Sequence, residues 1–107
     1  GLPAAPIAES DGWCDDTADP AHYNRPVTLP YAGSAEKMWR DDALYDLVVV
    51  LGHNDDPRVP GAGSAIFLHC ASPNLGPTEG CVALPRETLL ALLPRLTPET
   101  MIEIRWA

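Results

Sequence analysis

The sequence predicts a mainly β fold, a small sheet-based domain with one clear helix on its flank. Residues 45–51 (YDLVVVL) are a β-branched run with no polar alternation in its middle, the signature of a strand covered on both faces. Residues 64–70 (SAIFLHC) read as a second buried strand. Residues 101–106 set Met101, Glu103 and Arg105 against Ile102, Ile104 and Trp106, the two-residue period of a half-buried strand.

The elements follow in chain order. Residues 1–34 are rich in Pro, Asp and Gly without a sustained period. They read as an irregular segment in which Asp15-Asp16 and Asp19-Pro20 favour local turns. Ser34 is placed to cap a short helix through Glu36, Lys37, Met38 and Trp39. Residues 52–63, with Asn54-Asp55-Asp56-Pro57 and Pro60-Gly61, form a loop between the two buried strands. A second loop, residues 71–80, holds Pro73, Gly76 and Pro77, and residues 81–84 are a short apolar segment. Pro85 suits the first turn of a helix, where its missing N–H is no loss. Leu89, Leu90, Leu92 and Leu93 give that helix its apolar stripe, and Pro94 marks its end.

The length of 107 residues is one domain's worth, and 46% apolar content is enough for one core. Seven basic against 15 acidic residues give a net charge of −8, which argues against a nucleic-acid partner, since that needs a concentrated basic face. No run approaches the roughly 18 apolar residues of a membrane span. Residues 1–6 show neither the basic region nor the apolar stretch of a signal peptide, which fits a mature or excised form. The three cysteines, Cys14, Cys70 and Cys81, leave at least one unpaired within the chain. A Cys14–Cys70 bridge and two buried small hydrophobes are both open readings.

The chemistry concentrates between His69 and Cys81. A buried strand ends at His69, and a Pro/Gly-rich loop returns the chain to Gly80-Cys81. A neighbouring imidazole can activate a thiol as a nucleophile. Gly80 leaves room for a substrate carbonyl, and the Cys81 amide is the natural donor to an oxyanion. An isolated Cys and His in a small domain also fit a buried thiol and a satisfied histidine.

Residues 63–69 (GSAIFLH) followed by residues 77–84 (PTEGCVAL) resemble the active-site region of the YkuD-type L,D-transpeptidase family. More narrowly, they resemble the branch whose nucleophile motif reads T-x-G-C-V rather than S-H-G-C-[IV]-R. The resemblance continues through residues 11–16 (DGWCDD), 23–27 (YNRPV), 45–52 and Asn54, in order along most of the chain. It implies a β-sandwich-like domain with one or two flanking helices, one of them beside the nucleophile, and no cofactor. It also implies a bacterial periplasmic or cell-wall enzyme that acylates its cysteine on a peptidoglycan stem peptide and passes the acyl group to an amine of a neighbouring stem. Covalent inhibition by a carbapenem follows from the same chemistry. Carried over by position, Cys81 is the nucleophile, His69 the general base, Gly80 and Cys81 border the oxyanion site, and the Cys70 carbonyl orients the imidazole. Glu79, Thr78, His53, Asn54 and Arg25 are the residues expected to line the substrate.

The sequence departs from the family pattern in three ways. Glu79 stands where the motif histidine would be, and Ala83 where its arginine would be, so a substrate carboxylate must find Arg25, Arg40, Arg58 or none. A 1,3 rather than 3,3 cross-link fits that change. Nothing like the Gly-rich K-x-E-G-D-x-x-T-P-x-G segment precedes Gly12, so the chain reads as the C-terminal part of a family domain.

Other readings compete. His53 can be a loop histidine bonded to backbone, and Asn54 and Tyr23-Asn24 can be turn and packing residues. Trp13, Trp39 and Trp106 fit core or rim positions, with sugar stacking by Trp13 as the functional alternative. A calcium loop at Asp15, Asp16 and Asp19 lacks the required spacing. A zinc site on His53, His69, Cys70 and Cys81 lacks short-spaced ligand pairs. An L,D-carboxypeptidase and a non-catalytic wall-binding module are the remaining alternatives.

Overall fold

The computed structural model describes residues 1–72, 78 and 80–105. Among them the fold is mainly β, with six strands in two three-stranded sheets and one short α-helix.

In the first sheet β1 (Asp11–Cys14) lies between β2 (Pro26–Thr28) and β3 (Ala35–Lys37), antiparallel to both. Residues 1–34 therefore hold two strands where an irregular segment was expected. Each has three or four residues, too few to display a period, and Pro26 is tolerated because β2 is an edge strand.

The helix expected after Ser34 is instead β3. Ser34 does not cap: its hydroxyl donates to Asp15 Oδ1 (2.6 Å) and its amide to Asp16 Oδ2 (3.2 Å). A segment this short cannot repay helix nucleation, whereas β1 offers it a ready ladder through Trp13↔Glu36 and Cys14↔Ala35.

In the second sheet the order is β4 (Val48–Val50), β5 (Phe67–Cys70), β6 (Val82–Leu84), with β5 antiparallel to β4 and parallel to β6. All four residues of β5 are buried, and its two faces serve two cores. Phe67 meets Trp13 of the first sheet edge-on at 5.1 Å between ring centres and Tyr45 at 5.8 Å, with Met38 completing the cluster. Leu68 and Cys70 point the other way, onto Leu89 and Leu96. Aromatic rings crossing near 90° bring edge against face, the favoured arrangement.

The run at residues 45–51 is narrower and more exposed than its apolar composition suggests. Only Val48–Val50 pair as strand, and Val50 is 54% exposed because β4 lies at the sheet edge. The second run also shortens: Ala65 takes a positive φ of 58°, and regular pairing begins at Phe67.

After β6, Pro85 precedes α1 (Arg86–Leu92), whose Leu89 is fully buried and worth about 1.5–3 kcal/mol in transfer alone. Leu90 faces solvent, so the stripe is narrower than four leucines. Pro94 sits inside a 3₁₀ turn, Leu93–Arg95, that delivers Leu96 to the core.

Residues 101–105 form no strand and are exposed, Met101 at 89% and Ile104 at 78%. Alternation fixes two faces but supplies no neighbouring edge, and among the described residues none pairs with this segment. Trp106 lies outside the described residues. Cys14 and Cys70 are both free and buried, so the bridge is not formed.

Candidate active site

Strand geometry brings His69 and Cys81 to one face. In the parallel β5–β6 ladder Leu68 pairs with Val82 and His69 with Ala83. Cys81 therefore enters beside Phe67, and the two-residue period sets it on the face of Phe67 and His69. Its packing agrees, for Cys81 lies against the cluster of Trp13, Met38, Tyr45 and Phe67.

His69 is 4% exposed, and its Nδ1 lies 2.8 Å from the Cys70 carbonyl oxygen. A carbonyl only accepts, so Nδ1 carries the proton and Nε2 of the neutral ring is the basic nitrogen.

The half-buried Cys81 thiol donates to the Ala65 carbonyl (3.2 Å) and accepts from the Phe67 amide (3.5 Å). Burial pushes its pKa above the ordinary thiol value, the Phe67 N–H opposes that rise, and the charge of Glu36 adds to it.

Thr78 and Gly80 shape the approach to Cys81. The Thr78 hydroxyl donates to the Cys81 carbonyl at 2.5 Å. Gly80 has φ of +85°, a conformation an L side chain resists, and a Cβ there would meet Ile66 Cδ1 at 3.4 Å. Backbone strain rather than lack of space reserves this position for glycine. Glu79 lies outside the described residues.

Three of the residues expected to line the substrate make hydrogen bonds that hold the loop before β5. Asn54, at φ of 52°, donates to the Val59 and Gly63 carbonyls and accepts from the Val59 amide. His53 is exposed, with Nε2 3.2 Å from the Ala62 carbonyl oxygen. Arg25 binds the Asn24 and Asp55 carbonyls and pairs with Asp55 at 3.0 Å. Arg58 is likewise spent on the Ala21 and Tyr23 carbonyls. Arg40 is bidentate to Asp42 and lies 5.1 Å from the centre of the Tyr45 ring, the ring that also meets His69. That pairing holds the Asp42 carboxyl down at about 2.

Trp13 is a core residue whose indole N–H donates to Asn24 Oδ1 at 3.0 Å, which leaves no face for a sugar. Trp39 is 46% exposed and lines a cleft of about 780 Å³ walled by residues 2–7, Tyr45 and β4. Neither Cys81 nor His69 lines this cleft, although its Met38 and Tyr45 belong to the buried cluster against which Cys81 packs.

Two residues of the site carried no sequence signal. Tyr45 stacks edge-on against His69 at 5.3 Å and donates its hydroxyl to Glu36 at 2.7 Å. Tyr45 begins an apolar run and falls within the resemblance at residues 45–52 without a role of its own, and Glu36 reads as part of a helix. Only the meeting of the two sheets joins them.

Among the described residues no three His, Cys, Asp or Glu side chains could hold a metal ion, and no helix is long and apolar enough to cross a membrane.

A thiol and an imidazole on one face of the β5–β6 ladder, with no partner at Nε2 among the described residues, are the groups that cysteine–histidine chemistry uses. The chain belongs to the L,D-transpeptidase catalytic domain family (YkuD), whose profile it matches over residues 3–104. Comparison with curated proteins and with solved structures finds no match.

Proposed function

We propose that this protein is a peptidoglycan L,D-transpeptidase that works through a Cys81 acyl-enzyme with His69 as its base, outside the cytoplasmic membrane at the cell wall. The observation that carries the reading is the shared face of Cys81 and His69, with His69 Nδ1 committed to the Cys70 carbonyl.

A turn of the Cys81 side chain takes its hydrogen from the Ala65 carbonyl towards His69 Nε2. The proton passes to Nε2 as sulfur attacks the carbonyl carbon of the donor stem peptide. The oxyanion meets the Cys81 amide beside Gly80. The imidazolium gives the proton to the departing amine, the C–N bond breaks, and a thioester remains. An acceptor amine then attacks the thioester, His69 removes its proton, and the thiol is restored. Arg40, on the Tyr45 ring, is the cation best placed to meet a stem carboxylate, and a 1,3 linkage fits Ala83 better than a 3,3 linkage.

The test is intact-mass analysis after incubation with a carbapenem or a stem peptide, followed by mass spectrometry of the cross-linked muropeptides. One covalent adduct, lost in Cys81→Ala and slowed at least about a hundredfold in His69→Ala, is expected. An adduct that survives Cys81→Ala sinks the assignment. Release of free carboxylate without cross-links moves the activity to an L,D-carboxypeptidase.

A further inference from the structure

We propose that Tyr45 is the positioning residue of His69, anchored by Glu36 so that its ring holds the imidazole with Nε2 towards Cys81; this rests on the acyl-transfer reading above. Tyr45 is 7% exposed and is held on several sides. Its hydroxyl donates to Glu36 Oε2 at 2.7 Å, its ring meets Phe67 at 5.8 Å, and the Arg40 guanidinium lies 5.1 Å from its centre. The ring then meets His69 at 5.3 Å and 62°.

Glu36 lies on β3 of the first sheet and His69 on β5 of the second, so this one side chain links the two sheets at the base. The imidazole needs such a neighbour. Among the described residues its one hydrogen bond is to the carbonyl of the adjacent residue, and that bond holds Nδ1–H only while packing keeps the ring turned towards it. A ring contact of this kind is worth about 0.5–1.5 kcal/mol, and a base misplaced by about 1 Å can lose a hundredfold in rate.

The Tyr45 hydroxyl is spent on the Glu36 carboxylate, and the contact with His69 is made by the ring itself, which phenylalanine keeps. Burial and the Glu36 bond both push the Tyr45 pKa upward, so the phenol stays neutral while it donates. The step it supports transfers one proton from Cys81 Sγ to His69 Nε2, leaving a thiolate beside an imidazolium with nothing gained or lost elsewhere.

The experiment compares Tyr45→Leu and Tyr45→Phe with the wild-type chain in three readouts. These are stem-peptide turnover, the second-order rate of Cys81 alkylation by iodoacetamide at neutral pH, and the ¹⁵N signature of the Nδ1–H tautomer of His69. For Tyr45→Leu we expect kcat and alkylation to fall about tenfold or more, KM to stay within about threefold, and the Nδ1–H signal to be lost. Tyr45→Phe, which keeps the ring, should recover alkylation to within about threefold of wild type. If Tyr45→Leu does not fold, Tyr45→Met takes its place under the same thresholds.

A folded leucine or methionine variant with wild-type alkylation and an intact Nδ1–H signal overturns the proposal, as does a phenylalanine variant equally impaired. A wild-type chain that neither turns over stem peptide nor acylates at Cys81 overturns the acyl-transfer reading itself. The tautomer signal then still decides whether Tyr45 orients the ring.

Discussion

Replacing Asn24 with alanine should be among the most damaging single changes in the first sheet, although Asn24 touches neither Cys81 nor His69. Asn24 is 5% exposed and has φ of 56°. Its Oδ1 accepts the Trp13 indole N–H at 3.0 Å, and its Nδ2 donates to the His53 and Asn54 carbonyls at 3.1 and 2.8 Å. It thus ties the core indole to the loop between β4 and β5. In Asn24→Ala the buried indole N–H loses its acceptor, which costs about 1–3 kcal/mol. The two carbonyls lose a donor at about 0.5 kcal/mol or more each, because water reaches part of that loop. Alanine at positive φ adds about 1 kcal/mol over asparagine. The sum is about 3–5 kcal/mol, a large part of the 5–15 kcal/mol typical of a whole domain.

Urea unfolding followed by tryptophan fluorescence measures it, and a thermal scan should show a fall of at least about 12 °C. Asn24→Gly separates the terms: it keeps the backbone freedom, loses the hydrogen bonds, and should be about 1 kcal/mol better than alanine. An alanine variant within about 1 kcal/mol of wild type would refute the reasoning.

Two further outcomes follow from the site. Glu36→Gln keeps an acceptor for the Tyr45 hydroxyl but removes a charge that opposes the Cys81 thiolate, so the pH profile of iodoacetamide alkylation should move to lower pH; an unmoved or alkaline-shifted profile contradicts the reading. Gly80→Ala should cost about 1–2 kcal/mol for its positive φ, while acylation at Cys81 falls about tenfold or more as the turn relaxes and carries the Cys81 amide with it; acylation at the wild-type rate shows that this turn does not set the reaction geometry.

What the sequence revealed follows from how far each signal reaches along the chain. The run ending in Phe67-Leu68-His69-Cys70 was legible because a strand buried on both faces is apolar at every position, and β5 is that strand. Pro85 and Leu89 announced α1 by local chemistry. β1 and β2 were missed because strands of three or four residues take their stability from ladder partners distant in sequence, such as Gly12↔Val27 and Gly12↔Lys37. β3 was read as a helix for the same reason, and residues 101–105 as a strand because alternation says nothing about a partner edge. At the site, His69, Cys81 and Gly80 stood out by residue type and spacing, and resemblance gave them roles. The Glu36–Tyr45 link was not legible, since a carboxylate and a phenol nine residues apart carry no signal until two sheets meet.

The raised pKa of Cys81 bears on how thioester chemistry can run here. Burial and Glu36 disfavour the free thiolate, while the Phe67 amide favours it. A scarce thiolate is slower to form, but a more basic one is intrinsically the better nucleophile, so part of the loss returns in the attack itself. Acylation removes the charge from sulfur, and with it the repulsion from Glu36. In the proposed acyl-enzyme the charge penalty would therefore fall on the free thiolate and not on the thioester, which would make sulfur a poorer leaving group and hold the acyl group until an acceptor arrives. Release then requires a proton returned to sulfur, and the imidazolium formed when His69 deprotonates the acceptor amine is the group placed to return it. A site with a fully ionised resting cysteine would need no such return. Under the proposed mechanism, the same His69 that starts the reaction also ends it, so its orientation by the Cys70 carbonyl and, as proposed, by Tyr45 counts for more than the basicity of the thiol.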